Sequence, residues 1–305
     1  MPLIRINATP DGLILHDTPQ PAVRRLCSMA SRPGPAIIMV HGYKYAPGTA
    51  SHCPHKKIFG SEAHSWPTQL GFDGKTPDEG LGIALGWHAR GSLKAMHKRA
   101  AELGEHIAVI VAMLRSHTPN RPIHIIAHSL GSEATLNALL HLPQGAINRM
   151  ILLTGASFAD HAEKILKTPA GRSIEVLNVT SRENDLFDAG FERLIRPSLP
   201  DDHAIGQGIS APNVATLQLD CQTTMQNLGR LGFPVEPSQK RICHWSCYKR
   251  SGVMQIYSAF LRTPGVLPFD MLRSILPEQA APRWSRFFAR HHVTAQHNTR
   301  KQPAF

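Results

Sequence analysis

Long apolar runs are missing from this sequence. No segment reaches the ~20 consecutive apolar residues that a membrane-spanning helix requires, and the opening stretch MPLIRINATPDGLILHD lacks the continuous apolar core of a secretory signal. These two absences predict a soluble, cytoplasmic protein with no transmembrane segment. Cysteine is scarce as well: Cys27, Cys53, Cys221, Cys243 and Cys247 are odd in number and irregularly spaced, which argues against a disulfide framework and for reduced thiols. A zinc centre could be imagined from Cys243, His244 and Cys247, or from His52, Cys53 and His55. Neither group has a C-x-x-C pair or regular histidine spacing, so no metal is expected. Internal repeats are absent, and no linker divides the chain before its basic end.

What is present fits a globular α/β chain. The 305 residues, 42% of them hydrophobic, suffice for a full core, and the formal charge of +11 speaks mainly to solubility and non-specific attraction. A hairpin is predicted at the N-terminus, with strands at 3–7 and 13–15 joined by an Asp-Gly turn. Apolar runs at 36–40, 81–87, 123–127, 150–153 and 174–180 read as buried strands, with a further extended segment at 214–219. Between them lie helical patterns. Leu93, Met96, Ala100, Leu103, Ile107, Ile110 and Leu114 recur at steps of three and four, and shorter helices are expected at 132–140, 161–166 and 253–261. Strands alternating with helices imply a mostly parallel sheet with helices on its faces. Residues 44–80, rich in Pro, Gly and His, read as a long excursion, and Ile58, Phe59 and Trp66 are expected to roof or line a cleft there.

The stretch RPIHIIAHSLGSEATLNALL runs from a strand through a tight corner into a helix, with Ser129 at the corner. A nucleophilic serine needs such a corner, because a strained strand-to-helix turn exposes its hydroxyl and requires small residues two before and two after. Here those are Ala127 and Gly131, giving A-x-S-x-G. The competing reading is an ordinary turn in which Ser129 caps the helix. A serine also needs a base, and the base needs an orienting group. Asp185 and Asp188 follow the strand ending near Thr180, and His244 precedes the last strong helical pattern. A buried strand ending in His41-Gly42 could turn the N–H of Tyr43 towards the same cleft as the N–H of Leu130.

In these four features and their order, the sequence resembles the α/β-hydrolase superfamily, in its serine esterase and lipase branch, over residues 33–262. The resemblance implies a mostly parallel eight-stranded sheet flanked by helices, with loop excursions over the active site; with no repeat and no linker before the basic end, a single domain is expected over residues 1–282. It implies Ser129 as nucleophile, His244 as base and acid, Asp185 as orienting acid, and Tyr43 with Leu130 as oxyanion donors. His41 would shape the oxyanion loop. Asp188 reads as a structural charge in the first turn of a helix carrying Phe187, Phe191 and Leu194. The expected activity is hydrolysis of a small-molecule carboxylic ester or thioester through an acyl-enzyme, without a cofactor. An acyltransferase using the same triad is the enzymatic alternative. The basic segment 283–305, with Trp284, Phe287 and Phe288 among its arginines, suggests a different class: a non-catalytic protein binding anionic partners. No specific nucleic acid is expected.

Overall fold

The computed structural model describes residues 2–277; the expected boundary at 282 and the basic segment 283–305 lie outside them. Eight strands form one sheet: β1 Leu3–Thr9, β2 Gly12–Leu15, β3 Ala36–Val40, β4 Leu81–Trp87, β5 Ile123–His128, β6 Arg149–Leu153, β7 Glu175–Thr180 and β8 Val214–Gln218. Their order is β2-β1-β4-β3-β5-β6-β7-β8. β1 and β2 pair antiparallel across the Asp-Gly turn, with Thr9 opposite Gly12, and every other neighbouring pair is parallel. The chain therefore has the α/β architecture expected from its alternating pattern.

The main helices are α1 Val23–Ala30, α2 Leu93–His117, α3 Leu130–Ala138, α4 Ala159–Leu166, α5 Asp185–Leu194, α6 Gln222–Arg230, α7 Val253–Arg262 and α8 Phe269–Ile275. They cover both sheet faces, which is why the central strands are apolar throughout and do not alternate. In β3, Ile38 and Val40 enter one core with Leu103, Ile107 and Val111 of α2. Ile37 and Met39 enter the other core with Ile256 and Phe260 of α7. Side chains alternate across a strand, so five consecutive buried residues supply both layers.

The expected roof of 44–80 is corrected in one respect. Ile58, Phe59 and Trp66 are buried in the second core, and Phe59 and Trp66 meet edge to face with ring centroids 5.7 Å apart. Two short helical turns, Pro54–Lys57 and Trp66–Gln69, fold this part of the excursion back onto the sheet. Ring size and lack of charge suit these side chains to a core as well as to a cleft, and sequence alone could not separate the two. Tyr45, Ser51, His52 and Lys57 from the same excursion do line the cavity described below.

Candidate active site

The centre of the sheet sets the geometry. β5 ends at His128, Ser129 makes the corner, and α3 starts at once at Leu130. Ser129 has φ 54° and ψ −124°, a backbone state that an L-residue avoids and that costs on the order of 1–3 kcal/mol. Three hydrogen bonds hold it: Ser129 N–H donates to Leu153 O (3.0 Å), and Ser129 O accepts from Ser132 N–H (2.9 Å) and Ala156 N–H (3.0 Å). The Ser129 side chain makes no capping hydrogen bond to α3, so the helix-cap reading does not describe this corner.

The neighbours explain the small residues. A Cβ on Gly131 would lie 2.7 Å from His41 O and 2.8 Å from Val40 O, so glycine lets the start of α3 press against the end of β3. Gly42 is as tightly placed: a Cβ there would lie 2.6 Å from the Ser129 Cβ and 2.8 Å from His128 O. The exit of β3 is pinned by His41, which is fully buried. Its Nδ1 donates to Gly42 O (2.9 Å), and its Nε2 accepts from Trp87 N–H (3.0 Å). Trp87 Nε1–H in turn donates to His41 O (3.0 Å). Burial lowers the His41 pKa to about 3, so the ring is neutral and both nitrogens are occupied. Beyond it stand the N–H groups of Tyr43 and, at the start of α3, Leu130; among the described residues neither donates a hydrogen bond.

His244 lies before the short helical turn Ser246–Lys249. Its backbone O accepts from His128 Nε2–H (3.0 Å), which ties the histidine loop to the residue preceding Ser129. The ring stacks on Phe187 of α5, with centroids 4.7 Å apart and planes inclined by 24°. Its Nδ1 lies 2.6 Å from Asn184 Oδ1, while Asn184 Nδ2 donates to Asp188 Oδ1 at 2.9 Å. With Asp188 Oδ1 accepting from the amide nitrogen, the Asn184 amide is held with its oxygen on the other side. The amide oxygen then faces the imidazole, the proton sits on Nδ1, and Nε2 keeps its lone pair. Burial first, and then the neighbouring His128, holds the His244 pKa well below its ordinary value. His128 is itself lowered to about 4 by burial. Protein surrounds the His244 ring although part of its surface opens on a cavity.

That cavity has a volume of about 610 Å³ and brings together Ser129, His244, Asn184, Asp188, Tyr43 and Leu130. Of the residues expected from the sequence, Ser129, His244, Tyr43 and Leu130 therefore meet at one place. Asp185 does not line it: Asp185 is buried at the first position of α5, and the contact to His244 Nδ1 comes from the residue before it. The turn Arg182–Asn184 is helical, which shortens the reach from β7 and brings Asn184 to the imidazole. Sequence reading looked for an acid and passed over the amide. His128 went unnoticed too, although its place beside Ser129 was the available signal. Asp188 stands in the first turn of α5, as expected from the sequence; it is buried there and accepts from Asn184.

Of the two cysteines flanking His244, Cys247 takes a core position and Cys243 is half-buried. Cys247 is buried against Thr154, Sγ to Oγ1 3.4 Å, and burial raises its pKa to about 12. Among the described residues no group of three or more His, Cys, Asp or Glu side chains is arranged to hold a metal ion, and no helix is long and apolar enough to cross a membrane.

No protein-family profile matches the chain, and no curated protein matches its sequence. Among solved structures it is similar to the phospholipase PlaB from Legionella pneumophila in complex with thio-NAD, at 16% identity and a TM-score of 0.31, over 51% of this chain. The match spans 40% of that protein's length. A likeness of that size carries no argument about activity.

Proposed function

We propose that this chain is a serine hydrolase of the α/β-hydrolase kind, cleaving a carboxylic ester through an acyl-enzyme. Ser129 is the nucleophile, His244 the general base and acid, Asn184 the orienting group, and Asp188 the carboxylate that holds Asn184 in place. The reading keeps four of the five site residues expected from the sequence and gives the orienting role of Asp185 to Asn184. The observation that carries it is the strained Ser129 corner sharing one cavity with an imidazole whose Nδ1 is engaged by Asn184.

The steps follow from those positions. His244 Nε2 takes the Ser129 hydroxyl proton as Oγ attacks the ester carbon, and the carbonyl oxygen becomes an oxyanion. The Tyr43 and Leu130 N–H groups donate to it, and the start of α3 adds positive potential. The imidazolium formed in this step is stabilised through Asn184 by the Asp188 charge. It returns its proton to the leaving alkoxide, the C–O bond breaks, and the acyl group stays on Oγ. Water then repeats the sequence, with His244 taking its proton and handing one back to Ser129 Oγ. A neutral resting histidine is the form a base requires, and the lowered pKa of His244 supports that state.

Hydrolysis of p-nitrophenyl esters of increasing acyl length tests the reading. Wild-type protein is expected to turn over, and Ser129→Ala to lose on the order of 10⁶ in kcat. Undiminished turnover by folded Ser129→Ala contradicts it.

A further inference from the structure

The cavity around Ser129 differs in character at its two ends, and the strand order explains why. Ser129 follows β5; to one side lie β3 and β4, and to the other β6 and β7. Segments leaving β3 and β4 deliver Lys44 and Arg90, whereas the segment leaving β7 delivers α5.

On the β7 side the walls are apolar. Leu186, Phe187, Phe191 and Leu194 of α5 line the cavity together with Trp245. Leu186 is 57% exposed and Leu194 64% exposed, an unusual cost for large apolar side chains on one helix. On the β3 and β4 side the cavity adjoins a second hollow of about 390 Å³, lined by Tyr43, Lys44, His52, Arg90 and Gly91. Tyr43, Lys44 and His52 belong to both. No acid lines this second hollow among the described residues. In the main cavity the described lining holds one acid, Asp188, whose Oδ1 accepts from Asn184, against Lys44, Lys57 and Lys249. The polar end is braced by local contacts. Arg90 donates to Lys44 O (3.2 Å), Lys44 N–H donates to Ala89 O (2.8 Å), and Lys44 takes a left-handed φ of 71°. The Tyr43 hydroxyl donates to Gly91 O (2.5 Å), tying the segment after β3 to the one after β4.

We infer that the site accepts an amphiphilic ester: an apolar acyl chain lying along α5 and Trp245, and an anionic group across the ester bond, held by Lys44 and Arg90. The inference rests on the hydrolase reading above and names its substrate class. Guanidinium and ammonium groups bind phosphate and carboxylate by charge-assisted hydrogen bonds, and among the described residues neither Lys44 nor Arg90 has a carboxylate partner, so both are available to draw such anions in. A neutral ester of the same acyl length would fill the apolar end and leave the cations without an anionic partner.

Monomeric decanoyl glycerol and decanoyl glycerol phosphate, both below their aggregation concentrations, separate charge from chain length and from any lipid surface. The expected result is a kcat/KM about 10-fold higher for the phosphate, equivalent to about 1.4 kcal/mol. This preference should shrink in ~1 M salt, where the screening length falls to about 3 Å. Lys44→Ala with Arg90→Gln should bring the ratio of the two substrates towards one, and Arg90→Lys should retain part of it. Equal rates on both esters, or a preference untouched by salt and by the double substitution, overturn the inference. Fluorophosphonate labelling at Ser129 separates the two failures. A labelled enzyme that ignores the phosphate ester loses the inference and keeps the hydrolase reading; an unlabelled and inactive one loses both.

Discussion

The Nδ1 atom of His244 and the Oδ1 atom of Asn184 lie 2.6 Å apart, closer than an ordinary neutral hydrogen bond. An amide in this position orients the imidazole as a carboxylate would, but it brings no charge of its own. Asp188 stands one step further back, accepting from Asn184 Nδ2.

This arrangement predicts a graded response. Asn184→Ala should lower kcat by about 10³ to 10⁴, because the imidazole loses its tautomer and orientation. Asn184→Asp should retain much of the activity, since an acceptor remains. Asp188→Asn should fall between, through the loss of an anion that fixes the amide. Asp185→Asn should leave turnover near wild type. Steady-state kinetics on one soluble ester, with circular dichroism to confirm folding, check all four; activity lost in Asp185→Asn and kept in Asn184→Ala would return the orienting role to Asp185.

The pH profile follows from the same ring. His244 must be neutral to accept the Ser129 proton, and its pKa is held well below the ordinary histidine value by burial and by His128. The acid limb of kcat/KM is therefore expected below pH 6.5, with a plateau already established at neutrality. A limb centred above pH 7 would contradict this environment for His244.

Stability should fall with acid for a related reason. His41 and His124 are lowered to about 3 and His128 to about 4, each by burial. Their unfolded-state value is near 6.5, so between that pH and the folded values the unfolded chain binds more protons. The contribution is complete above pH 6.5 and is lost as pH falls towards 4, by about 1.4 kcal/mol per pH unit for each ring. Thermal midpoints measured from pH 8 to pH 4 should stay level and then drop; a flat curve across that range would show that these rings are not buried neutral.

Close packing at the corner gives a steric prediction. Gly42→Ala would force a Cβ to within 2.6 Å of the Ser129 Cβ. The loss expected is about 1–3 kcal/mol of stability, together with at least a 100-fold fall in kcat as Ser129 shifts. Ala127→Gly in the same corner should retain activity and cost about 0.5–1 kcal/mol. Chemical denaturation and turnover measured side by side check both.

The excursion between β3 and β4 makes a separate test. Trp66 is 1% exposed and packs against Phe59 and Tyr248. Trp66→Ala should destabilise the fold by about 3–5 kcal/mol, the ordinary cost of deleting a buried aromatic. A stable variant with altered preference for ester chain length would place this ring in the cleft instead.

Much of the architecture was legible because its cause is local. Five buried residues at 36–40, or seven helical positions from Leu93 to Leu114, leave few alternatives, and the Asp-Gly turn announced the β1–β2 hairpin. The corner at Ser129 could be read from Ala127 and Gly131, whose small size is a steric demand. Asn184 could not be read in this way. Its contact with His244 depends on a helical turn at Arg182–Asn184 and on the burial of Asp188, neither of which leaves a periodic trace, and chemical expectation favoured an acid over an amide. Ile58, Phe59 and Trp66 posed the same difficulty, since composition does not say which face of an excursion meets the core.

The central claim is that Ser129 is a nucleophile activated by His244. Reaction of the purified protein with a fluorophosphonate, followed by peptide mapping, tests it most directly. The account predicts one covalent adduct on Ser129, formed rapidly in wild type, greatly slowed in His244→Ala and absent in Ser129→Ala. A folded protein that forms no adduct, or forms it on another residue, would contradict it.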